Sequence, residues 1–174
     1  LISEAYGNVT LQFTLKDDGG TERGGDDTSE VQSVSISVLP VNDRPTFVLL
    51  WDEMTILEGS AAFSQPVIAQ SISRGSSFED LHGKQQWTFK VDVVSQDPVV
   101  GGQSIFSQMP ALSANGTLTF GLISEAYGNV TLQFTLKDDG GTERGGDDTS
   151  TAQVVVIVAL PVNQPPSFDL STLY

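Results

Sequence analysis

The string LISEAYGNVTLQFTLKDDGGTERGGDDTS occurs twice without a single change, at residues 1–29 and again at residues 122–150. Past it the copies diverge but stay in register: VQSVSISVLPVNDRPTF at 31–47 answers AQVVVIVALPVNQPPSF at 152–168. Residues 1–53 therefore correspond to 122–174, and the chain is one period of 121 residues plus an overlap of 53. A fixed period of this kind is the mark of tandem modules, in which each repeat is one folding unit in contact with its neighbours.

Within each copy the apolar residues alternate. Over 8–16, Val9, Leu11, Phe13 and Leu15 fall on one face, and Thr10, Gln12, Thr14 and Lys16 on the other. A period of two is that of a half-buried strand. The acidic, glycine-rich run DDGGTERGGDDTS follows as a long loop. Residues 31–39 form a second strand, with Val34, Ile36 and Val38 inward and Ser33, Ser35 and Ser37 outward, which makes a hairpin. PVNDRP at 40–45 is a stiff linker, because both prolines fix φ and neither donates to a ladder. Further strands are expected at 54–58, 66–73, 86–94, 104–108 and 116–122, before the hairpin recurs at 129–137 and 152–160. No segment keeps a 3.6-residue period over ten residues.

Six or seven short strands with turn signals between them predict an all-β fold, an antiparallel Greek-key β-sandwich in tandem repeats of 121 residues. Residues 46–163 would be one complete sandwich. Residues 1–45 would be the last two strands of a preceding repeat plus linker, and 164–174 the start of the next. Alternation assigns Trp87, Phe89, Val91, Leu118, Phe120, Leu132, Phe134 and Ile157 to the core.

Composition narrows the function classes. Eight basic residues stand against 22 acidic ones, a net charge of −14. That argues against nucleic acid, whose phosphates require Lys and Arg, and suits a solvated surface or a cation binder. Mean hydropathy is −0.04, and no apolar run reaches the length of a membrane span. There is no cysteine, so disulfides and thiolate metal sites are excluded.

LISE, VTLQFTLKDDG and PVNDRP together resemble the cadherin-like and immunoglobulin-like repeats of large extracellular surface proteins, whose motifs are LDRE, Y-x-L-x-V-x-A-x-D-x-G and D-x-N-D-N-x-P. Glu4, Asp17, Asn42, Asp43 and Pro45 keep the family's residues, while Pro40 stands where the first linker Asp belongs. The resemblance covers nearly the whole chain and is weakest over residues 60–115. It implies Ca²⁺ between successive modules. The first junction would use Glu4, Asn42, Asp43 and Asp138, with Glu79 and Asp80 as the mid-domain acidic pair. The second would use Glu58, Glu125 and Asn163, with Gln164 in place of the acid. Ca²⁺ takes six to eight oxygens, several of them carboxylate. Both sets are depleted, which predicts a modest calcium effect or none.

Other constellations have a plain and a functional reading. The loop acids Asp17, Asp18, Glu22, Asp26 and Asp27 read as a solvated connection before they read as a local Ca²⁺ loop. The sequons at Asn8, Asn115 and Asn129 are glycosylation acceptors if the chain passes through a eukaryotic secretory route. Trp51 is a packing residue at the module junction or a sugar platform. No nucleophile elbow, P-loop, dinucleotide fingerprint or zinc motif is present, so no catalytic residue is assigned and an enzyme is not expected. His82 reads as a loop residue. Val154, Val156 and Val158 replace the outward serines of the first copy, which makes them a candidate lateral interface.

These observations predict an extracellular, non-catalytic structural or adhesive repeat, a spacer or fibre building block. Its partners would be neighbouring copies of the same repeat and glycans. The rival is a carbohydrate- or ligand-binding sandwich, and a glycosidase acting through paired acids such as Glu79 and Asp80 ranks below it.

Overall fold

A computed structural model describes residues 5–60, 62–82, 84–97 and 104–168. The protein is all-β, and it divides into two compact units, one ending at Val41 and the other beginning at Asn42.

The first unit is a hairpin of β1 (Gly7–Phe13) and β2 (Gln32–Val38), antiparallel in register from Gly7↔Val38 to Phe13↔Gln32. A bridge between Lys16 and Thr28 closes the base of its loop. Val9, Leu11, Phe13, Val34 and Ile36 share one face, as the alternation predicts, and that face is open: Val9 is 51% and Phe13 54% exposed.

The second unit holds β3 (Thr46–Leu49), β4 (Glu53–Leu57), β5 (Phe63–Gln65), β6 (Ala69–Ser73), α1 (Ser77–His82), β7 (Trp87–Asp97), β8 (Phe106–Leu112), β9 (Leu118–Leu122), β10 (Gly128–Asp138) and β11 (Gln153–Leu160). They form a four-stranded sheet in the order β4-β11-β10-β7, a pair β3-β6, and a three-stranded sheet β5-β9-β8. Among the described residues every pairing in this unit is antiparallel except β4 with β11, which is parallel from Val156↔Glu53 to Leu160↔Leu57.

The inward residues of all three sheets meet in one core. Leu118, Phe120, Leu132, Phe134 and Ile157 are fully buried, and Trp87, Phe89 and Val91 pack partly buried against them. Phe63 stacks on Phe120 at 4.6 Å, Phe106 meets Phe120 edge-on at 5.7 Å, and Phe47 of β3 meets Phe89 of β7 edge-on at 5.1 Å. That last contact joins the β3-β6 pair to the four-stranded sheet, at the ring separations aromatic pairs favour. The β10-β11 hairpin repeats the register of β1-β2 residue for residue, Gly128↔Ala159 to Phe134↔Gln153. Here, though, Val130 and Phe134 are 0% exposed.

Four local features depart from the sequence expectation. The apolar run after the linker is a strand of its own, β3, hydrogen-bonded to β6. The strand expected over 66–73 starts later, as β6 at Ala69, and a short β5 precedes the expected range; between them Val67 takes a left-handed φ of 55°. β8 runs through Pro110, which a central strand would not tolerate; the register with β9 slips between Gln108 and Ala111, so the missing N–H falls in an irregularity. Residues 77–82, expected as loop, form a helix of six residues. Ser76 caps it: Glu79 N donates to Ser76 Oγ at 3.2 Å while Ser76 N donates to Glu79 Oε2 at 3.3 Å. This is a reciprocal capping box.

The two hairpins provide an internal control. Phe134→Ala is expected to lower the stability of the second unit by about 3–5 kcal/mol, the cost of emptying a packed aromatic site. Phe13→Ala, the same residue in the same local sequence, is expected to leave the urea midpoint followed by tryptophan fluorescence unchanged.

Candidate functional site

Among the described residues, charged and amide side chains are buried together where the linker enters the second unit. Asn42 is 8% and Asp138 3% exposed, and Pro45 is fully buried. Asn42 Nδ2 donates to Asp138 Oδ1 at 3.0 Å and to the Asp147 carbonyl at 2.8 Å, while Gln85 Nε2 donates to Asn42 Oδ1 at 2.6 Å. Asp147 N returns a bond to the Asn42 carbonyl at 3.1 Å. Next along, Asp43 N donates to Glu79 Oε1 at 3.2 Å, and Arg44 Nε to Asp147 Oδ2 at 2.6 Å. One short linker is thus bonded to β10, to the loop after it, to α1 and to the segment before β7.

Two glycines make room for it. A Cβ at Gly140 would lie 1.9 Å from Asn42 Oδ1, and one at Gly75 would lie 2.5 Å from Asp43 Cβ in a backbone at φ +133°. At Gly19, the counterpart of Gly140 in the first copy, the nearest atom is Asp17 Oδ1 at 3.2 Å, so the close approach belongs to the docked linker and not to the loop.

The acidic loops are built alike in both copies. Asp138 N bonds the Asp148 carbonyl and Asp17 N the Asp27 carbonyl, each at 3.0 Å. Gly140 N donates to Asp138 Oδ1 and Gly19 N to Asp17 Oδ1, each at 2.9 Å. Lys137 pairs with Asp148 at 3.1 Å and Lys16 with Asp27 at 3.2 Å. Asp26 accepts from Thr28 N. Asp18 and Glu22 are exposed. Much of the acid in these loops therefore holds its own turns, as the plain reading expects.

The socket's electrostatics are uneven. Burial pushes the Asp138 carboxyl above its ordinary range, against the opposing bonds from Gly140 and Asn42. Asp147 is held below the range, first by the Arg44 hydrogen bond, and Asp148 likewise, first by the Thr149 hydroxyl. Among the described residues, three buried acceptor oxygens have no hydrogen-bond donor: Asp43 Oδ2, Gln85 Oε1 and Asp138 Oδ2. All are hard oxygen donors of the type Ca²⁺ takes. No group of three His, Cys, Asp or Glu side chains converges to hold a metal among the described residues.

Of the first-junction residues, Asn42 is bonded to Asp138, and Asp43 is bonded through its backbone N to Glu79 of the expected mid-domain pair. Glu4 lies outside the described residues. Asp80 turns to Arg74, accepting from its backbone N at 2.8 Å, and Arg74 in turn lies 4.6 Å over the Trp87 ring. At the second junction Glu58 Oε1 accepts from Val162 N at 3.0 Å, while Glu125 and Asn163 are exposed. The sequon residues Asn8, Asn115 and Asn129 are all exposed. Val154 is exposed, Val156 and Val158 half-buried. Their row is flanked by Gln133, Thr131 and Asn129 on β10, and Glu53 and Thr55 on β4 oppose Val156 and Val158. Trp51, 41% exposed, lies between two shallow clefts, one bordered by Glu53, Met54 and Phe63, the other by Leu49, Asp52 and Gln153. Gln85 was not singled out in the sequence, and its polar, unremarkable setting carries no signal for a contact 43 residues away.

No family model matches the chain, and no curated protein matches it in sequence.

The raised Asp138 carboxyl has a definite sign. The folded state holds that proton to higher pH than the unfolded chain does, so this group's contribution to stability falls as pH rises from its ordinary value of 3.8 through the folded-state value. Asp147 and Asp148 act oppositely, contributing above their ordinary value and losing it as pH falls. In metal-free buffer Asp138→Asn is therefore expected to melt higher than wild type at about pH 7 and to converge with it by about pH 3. Thermal melts across that range check this.

Proposed function

We propose that the chain is a non-catalytic, extracellular structural repeat, a spacer or fibre building block of the cadherin-like and immunoglobulin-like kind. The observation that carries this is the parallel pairing of β4 with β11. The first long strand of the second unit and its last run in the same direction, side by side. The polypeptide therefore enters near one pole, where Asn42 is bonded to the β10-β11 loop, and leaves near the other, beyond Leu160. Elements that enter and leave at opposite poles string end to end, and repeats of that sort add length in proportion to number.

The Greek-key sandwich reading rests on the same topology. One layer would be β4-β11-β10-β7. The other would be β3, β5 with β6, β9 and β8, the short breaks between them being the slip at Val67 and the irregular β8 edge. The exposed sequons and net charge of −14 suit a solvated, secreted surface. Neighbouring copies are the principal partners. The row Val154, Val156 and Val158 offers a lateral contact between them that the first copy, with serine at those positions, lacks.

A second reading is favoured by the three orphaned oxygens: Ca²⁺ at the linker socket, held by Asp43, Gln85 and Asp138, with Glu79 beside them. The ion would neutralise the buried carboxylates and stiffen the entry of the linker into the module. Carbohydrate binding on Trp51 is the rival to the structural reading.

Small-angle scattering on chains carrying two, three and four copies of the 121-residue period tests the spacer. The maximum dimension is expected to rise by about 40 Å per copy, as strands of this length stacked end to end require. A maximum dimension that stays flat would overturn the reading, and saturable glycan binding abolished by Trp51→Ala would favour the rival. For the second reading, millimolar Ca²⁺ is expected to raise the melting temperature of wild type but not of Asp43→Asn/Asp138→Asn, because a ligand of the folded state alone stabilises by mass action.

A further inference from the structure

The β1-β2 hairpin and the β10-β11 hairpin are one structure in two environments. Residues 1–29 and 122–150 are identical, and the pairing register is the same. In the second unit the face formed by Val130, Leu132, Phe134, Val155 and Ile157 is wholly buried. What buries it is the body of the module, including Phe89 on β7 and Phe106, Leu118 and Phe120 on β8 and β9. The corresponding face of β1-β2, formed by Val9, Leu11, Phe13, Val34 and Ile36, is exposed.

The loops tell the same story through polar chemistry. The 138–150 loop receives Asn42 on Asp138 Oδ1 and on the Asp147 carbonyl. The 17–29 loop holds the same internal bonds, so Asp17 and Asp26 present those two acceptors already in place.

The body of the same chain cannot serve both hairpins. Its place is taken by β10-β11. Val38 is also only four residues from Asn42, a reach of about 14 Å. To stand where β11 ends, it would have to lie a whole strand away from the Asn42 socket, about 23 Å for the eight residues of β11.

We infer that the exposed face of β1-β2, together with the 17–29 loop, is the docking surface for a second copy of residues 40–121. The apolar face takes that copy's β7, β8 and β9, and the loop takes its Asn42. This rests on the tandem-repeat reading and specifies the partner of its first element. The complementarity is not a matter of general hydrophobicity: a surface identical in sequence and register to this one is closed by that body in the second unit.

The chain has no cysteine, so single thiols report cleanly. Leu11→Cys places a thiol on the apolar face and Gln12→Cys one on the opposite face. Each is compared in the 174-residue chain and in a longer chain with residues 40–121 set directly ahead of Leu1. The seam Gly121–Leu1 reproduces the natural Gly121–Leu122.

In the 174-residue chain both thiols are expected to react with a disulfide reagent at similar rates. In the longer chain the Leu11→Cys thiol is expected to slow about 100-fold, as for a site reached only by local opening, while Gln12→Cys keeps its rate. Hydrogen exchange over residues 33–38 of the unsubstituted chains gives the same answer without a mutation. Those residues differ from 154–159, so the peptides separate by mass. Protection there in the longer chain is expected.

Unchanged reactivity and exchange in the longer chain would overturn the inference. So would concentration-dependent protection of Leu11→Cys in the 174-residue chain, which would mean that two hairpin faces pair with each other. Protection without any lengthening in solution scattering would sustain the docking and overturn the end-to-end reading, so the two fail separately.

Discussion

Everything in the second unit depends on closing the alternating face of β10-β11 over the aromatic layer beneath it. Five residues of that hairpin, Val130, Leu132, Phe134, Val155 and Ile157, lose essentially all contact with solvent. Side chains of this kind each contribute about 1.5–3 kcal/mol when fully buried. The sum is comparable with the whole net stability of a small domain, about 5–15 kcal/mol. The hairpin is thus the last wall of the core. The β1-β2 pair, with the same residues and register, shows what the element is without the rest: an intact ladder with its apolar face uncovered.

A second constraint sets where the module begins. Asn42 is held by Asp138, Asp147 and Gln85, and Arg44 pins the same loop through Asp147. The first linker therefore belongs to the module it leads into, and the division of the chain falls at Val41–Asn42, ahead of the second proline of PVNDRP. The cost is electrostatic: a nearly buried Asp138 whose second oxygen has no donor. Burial makes the charged form of that carboxyl unfavourable despite the two donors on its first oxygen. Proton uptake and cation binding are the two ways of relieving that, and they have opposite pH dependence.

Much of this was legible in the sequence where the signal was local. Strict alternation placed Leu118, Phe120, Leu132, Phe134 and Ile157 in the core, and the duplicated string located both hairpins. The elements that escaped are those whose pattern is short or set by tertiary contact. β3 is four residues with one buried side chain, too brief for a period to show. The capping box Ser76-x-x-Glu79 was a readable helix start, obscured because no apolar period follows it in a six-residue helix. Asn42 and Asp43 were reached through the linker motif, and Asp138 through the hairpin motif of the following module. The partnership with Gln85, which spans 43 residues, had no local trace.

The two copies also separate what the repeated string encodes alone from what it encodes only in company. The ladder, the loop turns, the Lys–Asp pair at the loop base and the left-handed Arg23 and Arg144 are the same in both, so they need only local sequence. Burial of the apolar face and the close approach at Gly140 occur in one copy only, so they need the body and the linker. At Gly19 a Cβ would already crowd Asp17 Oδ1 of its own loop at 3.2 Å, so part of the demand for glycine is local to the turn. The turn's own need for glycine is thus shared by both copies, while the 1.9 Å approach to Asn42 Oδ1 is specific to the loop that receives the linker.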